Sequence, residues 1–111
     1  TYSSNGQFIA LALADGGAQL IDAATFAPIT TYTGHLNAVT SVAFSPDNSL
    51  LISGSQDGTV RVWNTQDDSA LVVLEAAADS EVVAVALHPM GDLLTVMSRD
   101  HKLSFWGVVQ N

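Results

Sequence analysis

The chain has 111 residues, no cysteine, and a formal charge of −8 from eleven acidic and three basic side chains. Disulfide and thiol chemistry are excluded, and Arg61, Arg99 and Lys102 are too few to neutralise several phosphates, so direct nucleic-acid binding is not expected. The acidic balance repels anionic membranes and favours basic protein partners, and no apolar run approaches the length of a bilayer span.

Strand-sized apolar runs follow one another, separated by turn residues. Small polar residues at 3–7 read as a turn, and 8–14, 18–22 and 29–32 read as strands. Asp15, Gly16 and Gly17 mark a tight turn. Pro28 stands at the entry to an outer strand, where a missing N–H is tolerated. The next strands are expected at Val39–Phe44, Leu50–Ser55, 59–64 and 71–75. A polar connection covers 66–69. The alanine run at 76–78 is too short for a helix and ends at Asp79 and Ser80, so it reads as a connection. Three more strands are expected at Val82–Leu87, Leu93–Ser98 and 102–107. Pro46 and Pro89 fall in turns, where they cost no ladder bond. No sustained helical periodicity is present, so the class is all-β.

The same wording recurs along the chain. The segment FSPDN at 44–48 aligns with YSSNG at 2–6 and with LHPMG at 87–91, spacings of 42 and 43 residues. Asp57 and Gly58 match Asp15 and Gly16 upstream, and Asp100 and His101 downstream. Trp63 matches Ile21 and Trp106. Ser41 and Ala43 match Ala84 and Ala86, small residues that alternate and so share one strand face. The middle copy opens on Gly34 and His35 and closes on Trp63 and Asn64. A period of about 40–45 residues with these landmarks resembles the WD-repeat β-propeller family.

The resemblance implies antiparallel four-stranded blades, about two and a half of them. Residues 1–33 would be a degenerate blade lacking most of its first strand. Residues 34–76 would be a complete blade, and 77–111 a degenerate blade lacking its fourth strand. A closed propeller needs typically four to eight blades. The chain is therefore expected to be the C-terminal part of a larger propeller. Remaining blades of a parent, or oligomerisation, would cover its unpaired faces and edges.

His35, Ser53 and Asp57 have the composition of a catalytic triad. Ser53, however, lies inside a strand pattern and not on the exposed turn of a nucleophile elbow. The resemblance implies a structural role instead, a hydrogen-bonded run from Trp63 to Ser53 to His35 to Asp57. Such a run would tie the loop before the first strand to the turn between the second and third.

His88 and His101 stand apart, at opposite ends of a blade. No His/Asp/Glu group has metal-ligand spacing, so neither a metal nor a cofactor is expected. Residues 54–59 lack the Lys and following helix of a phosphate loop. Asp92 and Asp100 read as turn residues, and Asp67 with Asp68 as a solvated loop.

The resemblance also implies a partner-docking face. It is built from the loops entering the first strand and the turns between the second and third. Here those positions are Leu36, Asn37, Ala38 and Gln56, with Ser80, Glu81, Arg99 and His101 in the next unit. Arg99 leads, because arginine is enriched at interface hot spots. The implied function is a non-catalytic protein–protein interaction scaffold within a multiprotein complex, cytoplasmic or nuclear. The alternative is a regulatory or ligand-binding propeller segment of a larger enzyme.

Overall fold

The computed structural model describes residues 1–3, 5–65, 70–75, 80–88 and 93–107. These residues form ten strands: β1 (Phe8–Ala12), β2 (Ala18–Asp22), β3 (Pro28–Tyr32), β4 (Val39–Phe44), β5 (Leu50–Ser55), β6 (Val60–Asn64), β7 (Ala70–Leu74), β8 (Val82–Leu87), β9 (Leu93–Ser98) and β10 (Leu103–Gly107). They make three sheets of consecutive strands, β1-β2-β3, β4-β5-β6-β7 and β8-β9-β10, and every pairing is antiparallel. No helix lies among the described residues. Ser4, the connections at 66–69 and 76–79, Pro89, Asp92 and residues 108–111 lie outside them.

The sheets stack face to face, and the period of two along each strand decides which residues meet. Leu51 and Trp63 point one way and pack with Ala10, Ala18, Leu20 and Tyr32 of the first sheet. Leu50, Ile52, Val60 and Val62 point the other way and pack with Val82, Val85, Leu94 and Val96 of the third. The middle sheet is thus covered on both sides, and every residue of β5 is buried. That coverage is why the sequence LLISGS does not alternate between apolar and polar. Each fully buried Leu or Ile here contributes about 1.5–3 kcal/mol relative to exposure.

Gly54 marks a close approach between the second and third sheets. A Cβ there would stand 2.5 Å from Val82 Cγ1 and 3.0 Å from Val85 Cγ1. Hydrogen bonds stitch the same seams. Val39 N–H donates to the Leu13 carbonyl (3.0 Å) across the first joint. Val85 N–H donates to Ser41 Oγ (3.2 Å), and the Thr40 hydroxyl donates to the Val82 carbonyl, across the second.

The ends of five strands differ from expectation, each for a physical reason. β1 stops at Ala12 and not at residue 14, because Leu13 turns its carbonyl to the next sheet. β3 begins at Pro28, paired opposite Ile21 beside a bulge that accommodates the missing N–H. β7 runs one residue earlier than expected, because a bulge between Val62 and Trp63 sets Trp63 opposite Ala70. Thr59 and Lys102 belong to turns, so β6 and β10 start one residue later than expected. Tyr2 makes an isolated antiparallel bridge to Ile9 beside β1.

Candidate functional site

The middle sheet positions the polar set. Ser53 sits in the centre of β5 and Trp63 in β6, on the face that meets the first sheet. Asp57 and Thr59 lie in the β5–β6 turn, and His35 lies in the loop that leads into β4. Gly16 lets that loop close down. It has φ +95, and a Cβ there would stand 2.6 Å from the His35 carbonyl oxygen.

The side chains form one directed run. Trp63 Nε1–H donates to Ser53 Oγ at 2.9 Å. Indole is a donor only, so the Ser53 hydroxyl hydrogen is left to donate onward to His35 Nε2, at 2.7 Å. With Nε2 accepting, the ring of a neutral His35 carries its proton on Nδ1. That N–H faces Thr59 Oγ1 at 3.1 Å and Asp57 Oδ2 at 3.3 Å. Thr59 in turn donates its hydroxyl (2.5 Å) and its backbone N–H (2.8 Å) to Asp57 Oδ1. Leu36 N–H donates to Asp57 Oδ2 at 2.8 Å. The structure therefore brings His35, Ser53, Asp57 and Trp63 together and adds Thr59 to them. An Asp followed two residues later by Thr, an Asx-turn pattern, was the available signal.

Burial and charge fix the protonation states. Desolvation lowers the His35 pKa below 6.5, helped by nearby Arg61 and opposed by Asp57. The ring is neutral at pH 7. Burial would raise the Asp57 pKa, but hydrogen bonds from Thr59 and Leu36, together with the His35 ring, outweigh it and hold the carboxyl at about 2. Arg61 Nε is buried without a hydrogen-bond partner, its guanidinium lying against Gly34.

The polarity of this run is that of a triad, but its accessibility is not. Ser53 has no exposed surface, and its oxygen already accepts the indole N–H. Acyl transfer needs a nucleophile that a substrate can reach and donors placed for the oxyanion.

The rim residues lie around this set. Leu36 is 92% exposed, and Asn37 is exposed beside it. Ala38 is half-buried and uses its carbonyl to hold Gln56 N–H (2.9 Å) and the Ser55 hydroxyl (2.9 Å). In the third sheet Arg99 N–H bonds the Glu81 carbonyl (2.8 Å), and Arg99 Nη1 pairs with Glu81 Oε2 at 3.2 Å. His101 is exposed, with φ +66 in the β9–β10 turn, and Ser80 is half-buried. The two groups share one end of the molecule, because the Thr40 hydroxyl reaches both the Gly54 and Val82 carbonyls. His88 is exposed at the opposite end. There an open depression of about 400 Å³ is lined by Thr1, Tyr2, Ala43, Phe44, Ser45, Pro46 and Leu87, with no histidine or carboxylate among them.

Residues 26–64 match the family model described as "WD domain, G-beta repeat". The match runs from the turn before β3 to the end of β6, and so ties the outer strand of one sheet to the inner three of the next. The chain belongs to the WD-repeat family. Its three antiparallel sheets are blades of a partial WD-repeat propeller. The chain is 40% identical over 80 residues to the Periodic tryptophan protein 2 homolog of Schizosaccharomyces pombe, covering 72% of this chain and 9% of that protein. It is 36% identical over 92 residues to Pre-mRNA-processing factor 19 of Mus musculus, covering 83% of this chain and 18% of that protein. It is 31% identical over 114 residues to the Probable cytosolic iron-sulfur protein assembly protein 1 of Kluyveromyces lactis, covering 93% of this chain and 34% of that protein. The chain therefore spans about a third or less of these WD-repeat relatives.

The outer blades keep the WD-repeat architecture with less of the polar set. Asp15 still caps its turn, accepting from Gly17 N–H at 3.1 Å, while Leu11 and Ile21 stand where Ser53 and Trp63 do. In the third blade buried Val96 stands at the Ser53 position, and the Trp106 indole turns to Ser104 Oγ at 3.1 Å. The Ser98 hydroxyl bonds Asp100 across the β9–β10 turn. Losing both ends of a buried hydrogen bond is nearly neutral, which is how these blades persist.

Proposed function

We propose that the chain is a non-catalytic protein–protein interaction scaffold, a segment of a WD-repeat propeller that serves inside a multiprotein complex. The observation that carries this reading is the state of Ser53. It is fully buried and bonded on both sides, so the one Ser–His–Asp set is consumed in holding the blade. The names of the relatives, a pre-mRNA-processing factor and an iron-sulfur protein assembly protein, agree with work in assemblies. They also agree with a cytoplasmic or nuclear location. Among the described residues no helix is long and apolar enough to cross a membrane.

The docking face is the rim end, with Leu36, Asn37 and Gln56 in one blade and Glu81, Arg99 and His101 in the next. Leu36 supplies an exposed apolar anchor, and a charge of −8 favours a basic partner. Copurification from the native source tests the proposal. Leu36→Asp with Arg99→Glu is expected to remove the bound proteins while leaving the melting temperature within about 2 °C, as for exposed substitutions. Unchanged copurification would overturn it.

A further inference from the structure

β7 is the outer strand of the second sheet, and among the described residues no strand pairs with its free edge. Such an edge is a row of backbone donors and acceptors that a further strand can take up. The outer strands of the first two sheets manage it differently. β3 begins at Pro28, which has no N–H, and carries Thr30 and Thr31. β7 reads ALVVL, with no proline, charge or hydroxyl. Leu71 and Val73 are each 49% exposed and Val72 is 44% exposed, while Leu74 packs against the core. Apolar and β-branched side chains in a row favour cross-strand pairing.

Charge decides which strand fits there. Asp67 and Asp68 precede β7 in the sequence, and Glu75 follows it. Arg61 pairs opposite Val73 but lays its guanidinium on Gly34. A second copy of β7 is a poor occupant. Laid antiparallel with Val72 opposite Val72, it brings Glu75 opposite Ser69 and next to Asp68. Laid parallel in the same register, it sets Glu75 against Glu75. Like charges opposed across strands are destabilising, and the net charge of −8 adds repulsion between whole chains. An apolar strand with lysine or arginine on both flanks meets the reverse: carboxylates at either end and an apolar row between.

We propose that the free edge of β7 takes up an extended apolar segment of another protein, flanked by basic residues, as a fifth strand of the second sheet. This surface is separate from the rim and goes beyond the docking described for it. In such pairing the backbone hydrogen bonds supply affinity, and the side chains supply selectivity.

The probe is a fluorescent synthetic peptide with a valine–leucine core of β7's length between pairs of lysines. It is titrated with the 111-residue chain and followed by anisotropy. Binding is expected, and it weakens as salt rises. Replacing the lysines with glutamates is expected to weaken it about tenfold or more. Methylating the core amide nitrogens removes the donors and keeps the charges, and is expected to abolish it. Glu75→Lys should narrow the difference between the lysine and glutamate peptides. Leu71→Lys with Val73→Lys should weaken the lysine peptide, with an unchanged strand signal in circular dichroism. Leu36→Asp with Arg99→Glu should leave peptide binding unchanged, which separates this edge from the rim. No binding, equal binding of the lysine and glutamate peptides, or undiminished binding of the methylated one would overturn the proposal. Loss of binding in the rim variant would do the same. So would a wild-type chain whose mass in light scattering is a multiple of 11.6 kDa and falls back to that value in Leu71→Lys with Val73→Lys, because the edge would then hold a second copy.

Discussion

His35→Ala removes the centre of the buried run, and the structure says what each neighbour loses. The imidazole has no exposed surface, so its packing is lost without compensation from water. Asp57 keeps three donors, the Leu36 and Thr59 backbone N–H groups and the Thr59 hydroxyl. Ser53 keeps the Trp63 indole but has no acceptor for its own hydrogen. One orphaned buried donor costs about 1–3 kcal/mol. With the lost packing the total comes to about 2–3 kcal/mol, a fall of roughly 10 °C in melting temperature for a chain of this size. Thermal denaturation followed by circular dichroism measures it. Ser53→Ala alone strands both the indole N–H and His35 Nε2. The double variant removes both ends of the central bond, so its cost is expected to be smaller than the sum of the single costs by about 1 kcal/mol. A loss below about 0.5 kcal/mol for His35→Ala, or strict additivity, would refute the reasoning.

The same run predicts a pH dependence. The His35 pKa is lowered on folding, so the unfolded chain takes up that proton first. Its contribution is complete above about 6.5 and declines as pH falls through the lowered folded value. Asp57 adds an acid limb, because its stabilisation is present above 3.8 and lost as pH falls toward about 2. Urea midpoints measured between pH 8 and 4 should fall with pH, and the upper part of that slope should flatten in His35→Ala. Gly54→Ala places a methyl 2.5 Å from Val82 Cγ1 and is expected to cost about 1–3 kcal/mol by overpacking the joint between the second and third sheets. Val82→Ala in the same chain should recover part of that loss in melting experiments.

Much of this was legible in the sequence because turn chemistry is local. Asp15 with Gly16, Pro46 with Asp47, and Asp57 with Gly58 bound the strands, and the repeat then assigned each strand its partner. The set of His35, Ser53, Asp57 and Trp63 was legible because each residue type occupies a family landmark. What the sequence hid were contacts between sheets, bulges within them and side-chain choices at turns. The carbonyl of Leu13 leaves its own ladder for Val39, which ends β1 early. The bulge opposite Ala70 moves β7 by one residue. Thr59 looked like the first residue of a strand, so its hydroxyl was not assigned to the polar set. Ser104 gave no periodic signal as the new partner of Trp106. Phe26 takes φ 59 in the turn before β3, a conformation that bulky residues rarely adopt and that no feature of the sequence marked.

The most direct test of whether Ser53, His35 and Asp57 hold the blade and do no chemistry is nitrogen NMR of the His35 ring through a titration from pH 8 to 5. A structural run predicts a neutral imidazole with its proton fixed on Nδ1, persisting below pH 6.5, with the Trp63 indole hydrogen slow to exchange. A ring that exchanges freely between tautomers, titrates at or above 6.5, and leaves the indole hydrogen open to water would contradict it.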